Sequence, residues 1–403
     1  MKGIKCFIKV LFCVCAFLNI LVFSLIFYLD CNLENDFKIK TGDSLKIDTL
    51  IPITAEYKGS NLSRVNGNYT IGEKIDVDLK AFGLIPISTA RVEVIDEMQV
   101  AVLGVPFGMK IYTNGVLVSE LSEVITQKGI EAPAKKAGIK VGDYIVSINN
   151  EKVYTNEDVC EIVEQSDGKK LRFEIVRSNT KIICNFSAVK DKETQNYKIG
   201  IWVKDSSAGI GTLTFYSPTS NIICGLGHGV CSDDSNKLLD IKSGEIVTAQ
   251  IIGIEKGEIG SAGQLKGKFA YNSLGNILLN CEQGVYSSFS GKLTFTNLTE
   301  IALKQEIKEG RATILCTIDG EAPKEYGCKV EIRNSNYNSP TQNMLIKITD
   351  KELLEKTGGI VQGMSGSPIL QNGKLVGAVT HVFLDDCTEG YGIFAENMLD
   401  TAG

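Results

Sequence analysis

Histidine is almost missing from this chain: His228 and His381 are the two among 403 residues. The twelve cysteines include no CxxC pair, so a Cys/His zinc site has little to work with, and neither a metal nor a cofactor is expected. Basic runs are also missing beyond a short amino-terminal flank. The net charge of -6 and a pI near 5.3 argue against a nucleic-acid surface. Helical periodicity is scarce after Tyr197, where Lys351 to Thr357 is the one stretch that reads as a helix.

Charge is absent altogether from "VLFCVCAFLNILVFSLIFYL", Val10 to Leu29, which only Asn19 and Ser24 interrupt. A helix of this length crosses a hydrocarbon core of about 30 Å. Lys2, Lys5 and Lys9 precede it while Asp30, Glu34 and Asp36 follow. By the positive-inside rule residues 1–9 stay cytoplasmic, 10–29 form a transmembrane anchor, and the rest is exported. A cleaved signal peptide is the alternative, but the apolar run exceeds a usual signal core and no small-x-small site follows it. Four cysteines, Cys6, Cys13, Cys15 and Cys31, belong to the anchor region. The others are scattered singly and read as buried free thiols, which suits a reducing or anaerobic setting.

The remainder is long enough for two or three domains at 43% apolar and 22% charged residues. Residues 30–104 are polar and mixed, and read as a stalk with a few strands such as "RVEVI". Residues 105–190 change to short alternating strands around one helix, "TNEDVCEIVEQS", with Thr155 or Asn156 as its cap. Within them "EAPAKKAGIKVGDYIVSINNEKV" resembles a bacterial PDZ domain. Such a domain adds an extended peptide to a sheet edge and receives its carboxylate in a backbone nest. Val105, Pro106, Phe107, Gly108 and Met109 are the candidate peptide-binding loop; an empty groove in a mere spacer is the alternative. Residues 191–403 are short β runs between glycine or polar turns, the pattern of a sandwich or barrel.

A serine nucleophile needs a base, an orienting acid and oxyanion donors. In "GIVQGMSGSPILQNGKLVGAVTH", Ser365 sits between glycines and Asn372-Gly373 make a type I′ hairpin turn. Dense glycine, serine and proline mean a turn by themselves. His381 ends the same hairpin, whereas His228, in "CGLGHGVCSDD", lies between glycines at the end of a strand, open to a cleft. His228 is therefore the better base, with His381 a structural hydrogen-bonder. Ser367, which precedes Pro368, is the rival nucleophile and reads as a packing residue.

"QGMSGSP" resembles the nucleophile loop of chymotrypsin-like and HtrA-like proteases, a resemblance that implies an oxyanion hole from the Gly363 and Ser365 N–H groups. Together with "IGIWVKDSSAGIGTLTFYSP", "GLGHGV" and "IKITD", the chain is similar to the sporulation serine peptidases typified by stage IV sporulation protein B. The resemblance places the acid on Asp350, with Asp240 as rival, completing His228, Asp350 and Ser365. It implies a mainly β protein with an amino-terminal transmembrane helix, a PDZ-like α+β domain and a chymotrypsin-like double β-barrel peptidase domain. It further implies a membrane-anchored protease in the space between forespore and mother cell. There it cleaves a protein regulating an intramembrane protease, and its own amino-terminal region, which releases a late sporulation sigma factor. A catalytically idle PDZ-bearing adaptor is the competing function.

Overall fold

The computed structural model describes the chain except residues 1, 34, 48–50, 58–69, 154, 178–179, 232–237, 240, 242, 292–296, 321, 334–338 and 403. Asp240 therefore lies outside the described residues. Its amino-terminal helix, Lys2–Asn32, contains Leu11–Leu29, with a mean hydropathy of 2.5. Among the described residues it is the one helix long and apolar enough to cross a membrane.

The segment expected to be a stalk is a packed unit. Ile85–Ile95 pairs in parallel with Asp36–Lys40 and antiparallel with Lys74–Ala81, which pairs with Ile53–Tyr57. Alternate side chains, Phe37, Ile39, Val77, Leu79, Val92 and Val94, close a core of their own. Lys40 reaches Glu300 and Glu306, Lys374 bonds the same two carboxylates, and the Gln305 amide donates to the Lys38 carbonyl at 2.6 Å. This sheet thus docks on the body rather than hanging from it.

The PDZ-like block forms as its pattern predicts. Helix Asn156–Gln165 starts at Thr155, whose hydroxyl accepts from the Asp158 N–H while the Asp158 carboxylate accepts from the Thr155 N–H. Val159 and Val163 bury its apolar stripe against Val116, Ile145, Ile148, Leu171 and Phe173. The Gly142-Asp143 turn has a buried reason: Asp143 is fully buried and takes two bonds from Arg177, at 2.6 and 2.8 Å, plus one from the Lys140 N–H.

Two six-stranded barrels make up the body. The first closes Pro106–Leu121, Ser243–Glu255, Gln264–Cys281, Gly284–Ser288, Ile222–Gly225 and Ile201–Ser217 back on Pro106–Leu121. The second closes Gly310–Cys316, Lys324–Ile332, Met344–Ile348, Glu389–Phe394, Lys374–Val382 and Pro368–Gln371. Phe107, Met109, Leu213, Ile246 and Val285 fill the first; Ile314, Tyr326, Val330, Ile346 and Val379 fill the second. A second helix that the periodicity did not reveal, Ala395–Ala402, buries Ala395, Met398 and Ala402 against Phe215, Ile301 and Leu375. It is short and its polar residues mask the stripe.

The first barrel corrects the reading of Val105 to Met109 as a peptide-carboxylate loop. Phe107, Gly108 and Met109 pair on one side with Gly211, Ile210 and Gly209, and on the other with Thr248, Val247 and Ile246. The Val105 carbonyl accepts from Leu213 N–H, and Pro106 pairs with Thr212. A strand bonded on both edges has no free amides to form a nest. The barrel therefore begins near residue 106, and the PDZ-like unit is inserted between its first two strands rather than preceding it.

A Cβ on Gly108 would strike the Phe269 ring and approach Val247 Cγ2 to 2.9 Å. Gly108→Val is accordingly expected to overpack the first barrel, at about 1–3 kcal/mol. The melting temperature should fall, and cleavage of short peptides and protein substrates should fall together. Loss confined to protein substrates, with an unchanged melting temperature, would contradict this placement.

Candidate active site

The turn around Ser365 is held from three sides. Within it, Met364 N–H donates to Val361 O at 3.0 Å and Ser367 N–H to Met364 O at 2.9 Å. Towards its own barrel, Gly366 N–H donates to Val379 O, and Val379 N–H returns to Ser367 O. Towards the first barrel, Thr212 N–H donates to Ser365 O at 2.9 Å. Gly363 and Gly366 adopt φ of 97° and 92°, and a Cβ on Gly366 would fall inside the Thr212 carbonyl. The Gly-x-Ser-Gly spacing is thus a requirement of backbone approach. Asn372 and Gly373, both at positive φ, make the expected type I′ turn.

The base candidate arrives from the other barrel. Strand Ile222–Gly225 ends in a turn at Leu226 and Gly227, both at positive φ; Leu226 N–H donates to Thr212 O, and a Cβ on Gly227 would lie 3.1 Å from Thr380 Cγ2. His228 follows, with Nδ1 3.0 Å from the Gly229 carbonyl. A carbonyl only accepts, so Nδ1 carries the proton and Nε2 keeps its lone pair. The His381 ring lies 4.6 Å from the His228 ring, tilted by 33°. The expected lone structural histidine is therefore a member of the cluster. Its position at the end of the hairpin, one residue after the carbonyl that Ser365 reaches, was the available signal.

The Ser365 hydroxyl, half-buried, donates to Thr380 O at 2.7 Å. It must rotate off that carbonyl to give its proton to an imidazole. Among the described residues neither the Gly363 nor the Ser365 N–H has a protein acceptor, as an anion-receiving pair requires. Ser367 is fully buried beside the Cys316 thiol, which burial pushes up to about 12, and has no approach for a substrate.

Burial lowers the His228 pKa below the ordinary value, partly offset by the Gly229 carbonyl. His381 is lowered further, to about 4, by desolvation at the seam and then by the His228 charge beside it. Both rings are neutral at neutral pH.

Asp350 does not stand where an orienting acid would. It caps helix Lys351–Thr357, one oxygen accepting from Leu353 N–H at 3.1 Å and the other from Gly327 N–H at 3.4 Å. Among the described residues no carboxylate hydrogen-bonds either imidazole; the group on His228 Nδ1 is a backbone carbonyl. Asp350 is acidic at that position because a helix begins there. The described residues also contain no cluster of metal ligands.

A serine turn with two open amides and a histidine turn, one from each of two β-barrels and both bonded to Thr212, with a PDZ unit inserted in the first barrel, define a PDZ-bearing serine peptidase. Residues 195–399, just over half of the chain, match the SpoIVB peptidase S55 family, and the chain belongs to that family. Residues 124–177 match the PDZ domain. Among solved structures, the PDZ domain of the SdrC-like protein Lmo2051 from Listeria monocytogenes is 16% identical. That alignment covers 23% of this chain and 90% of that one, at a TM-score of 0.19. An inactive mutant form of Rv3671c from M. tuberculosis H37Rv is 12% identical, covering 48% and 82%, at a TM-score of 0.26. At such TM-scores the two likenesses add nothing to the assignment.

Proposed function

We propose that Ser365 is the nucleophile and His228 the general base of a membrane-anchored endopeptidase of sporulation signalling, with Gly363 and Ser365 N–H groups as the oxyanion hole. The observation that carries this reading is the meeting of the Ser365 turn and the His228 turn at Thr212, each supplied by a different barrel. Neutral His228 Nε2 accepts the serine proton as Oγ attacks the scissile carbonyl, and the two amides receive the developing oxyanion. Family membership supports a substrate that is an exported or membrane-tethered regulator of an intramembrane protease, and cleavage of the protein's own amino-terminal region. The helix Lys2–Asn32 supports a single-pass anchor with the peptidase on the exported side. A fluorophosphonate probe on full-length protein should label Ser365 and abolish peptide hydrolysis. Absence of labelling on folded protein leaves the idle adaptor as the function.

The PDZ-like unit is read as a docking site for that substrate segment at the edge of Ile201–Lys204. Ser122 N–H donates to Gly200 O, so in this antiparallel pair the next residue, Ile201, turns its N–H away from its partner strand. Ile201→Pro should slow cleavage of a protein substrate and leave a short unstructured peptide nearly unaffected. Equal rates on both would assign the unit a spacer role.

A further inference from the structure

Thr212 and Thr214 are 2% and 0% exposed, in a strand interior where a hydroxyl is costly unless bonded and valine would fit. Alternate residues of a strand share a face, and both hydroxyls point at the Ser365 turn. Thr212 Oγ1 donates to Gly363 O at 2.8 Å, and Thr214 Oγ1 donates to Gly366 O at 2.7 Å. These carbonyls belong to the two glycines of the turn, the residues whose backbone is freest to flip. The Thr212 main chain adds two more bonds, its N–H to Ser365 O and its carbonyl from Leu226 N–H, just ahead of His228.

We infer that Thr212 and Thr214 are positioning residues that hold the Gly363–Gly366 turn with its two open amides converging on one point. Anchoring the Gly363 carbonyl fixes that residue's ψ, and with it the direction of the neighbouring peptide units. Released, a glycine at φ of 97° can turn its amide out of line with that of Ser365. Residue 212 also ties the His228 turn to the same strand, so one side chain and the two peptide units flanking it set the relative placement of nucleophile, oxyanion donors and base. That strand, Ile201–Ser217, begins in the PDZ-like sheet, where Ile201–Lys204 pair with Leu117–Leu121. The clasp therefore lies on the element shared by both units. This inference rests on Ser365 and His228 being the working pair.

The test uses full-length protein and compares Thr212→Val, which keeps the shape and removes the hydroxyl, with Thr212→Ser, which restores it. Thr212→Val should lower kcat on a short peptide by about 10²-fold, the loss seen when an oxyanion donor is removed, with KM within about twofold. Its rate of fluorophosphonate labelling should fall in parallel while the final labelled fraction stays complete. Thr212→Ser should recover most of the loss. A folded Thr212→Val with wild-type kcat overturns the inference, as does a Thr212→Ser as impaired as the valine variant. Should Thr212→Val not fold, Thr214→Val against Thr214→Ser makes the same comparison with the same two overturning results. Failure of the wild-type protein to be labelled at all would instead remove the reading on which the inference stands.

Discussion

Ser365→Ala is expected to reduce peptide hydrolysis on the order of 10⁶-fold, to background, with an unchanged melting temperature. The size follows from cooperativity: base, nucleophile and oxyanion donors act as a unit, so losing the nucleophile removes nearly everything the others contribute. The unchanged stability follows from the geometry. The Ser365 side chain makes one hydrogen bond, to Thr380 O, worth about 1 kcal/mol net, while its backbone carbonyl stays held by Thr212 N–H in the alanine variant. Ser367→Ala is the control, since Ser367 is sealed beside Cys316 and should leave hydrolysis within a few-fold of wild type. If Ser367→Ala were the dead variant and Ser365→Ala the active one, the wrong serine would have been chosen.

His228→Ala is expected to cost on the order of 10⁵-fold in kcat, because it removes the imidazole that accepts the serine proton. His381→Ala should cost far less, about ten- to a hundredfold, through loosened placement of the His228 ring. The pH profiles separate the two roles. The neutral imidazole is the active form, so kcat/KM rises with pH through the base's pKa and levels off above it. Since burial holds His228 below the ordinary value of about 6.5, the wild-type rise should be centred below that pH. Removing His381 admits water to the seam, which favours the protonated form of His228. The centre of the rise should therefore move up in His381→Ala. A larger loss in His381→Ala than in His228→Ala would place the base within the hairpin.

What could be read along the chain was whatever depends on neighbours in sequence. The apolar run that makes helix Lys2–Asn32, the reciprocal cap at Thr155 and Asp158, and the Asn372-Gly373 turn each need only a few adjacent residues, and each formed as its residue types demand. The Gly-x-Ser-Gly spacing is of the same kind, because positive φ at Gly363 and Gly366 is a local necessity. The turn glycines around His228 likewise marked a sharp approach of backbone to something, without saying to what.

Partners across the fold were decided elsewhere. Alternating apolar residues show which face of a strand is buried, but the same alternation serves any neighbour, so Val105 to Met109 could pass for a loop beside a PDZ sheet until pairing on both edges closed a barrel. An aspartate before a helix is equally fit to cap it or to orient a histidine, and only the location of Leu353 and Gly327 amides showed which job Asp350 has. The neighbours His228 and His381, and the hydroxyls of Thr212 and Thr214 on the carbonyls of Gly363 and Gly366, are brought together by barrel closure and barrel packing. Such contacts join residues far apart in the chain and are fixed by register and by the filling of two shared cores. No local preference encodes them, so the residue types of the site belong to the sequence and their convergence to the tertiary fold.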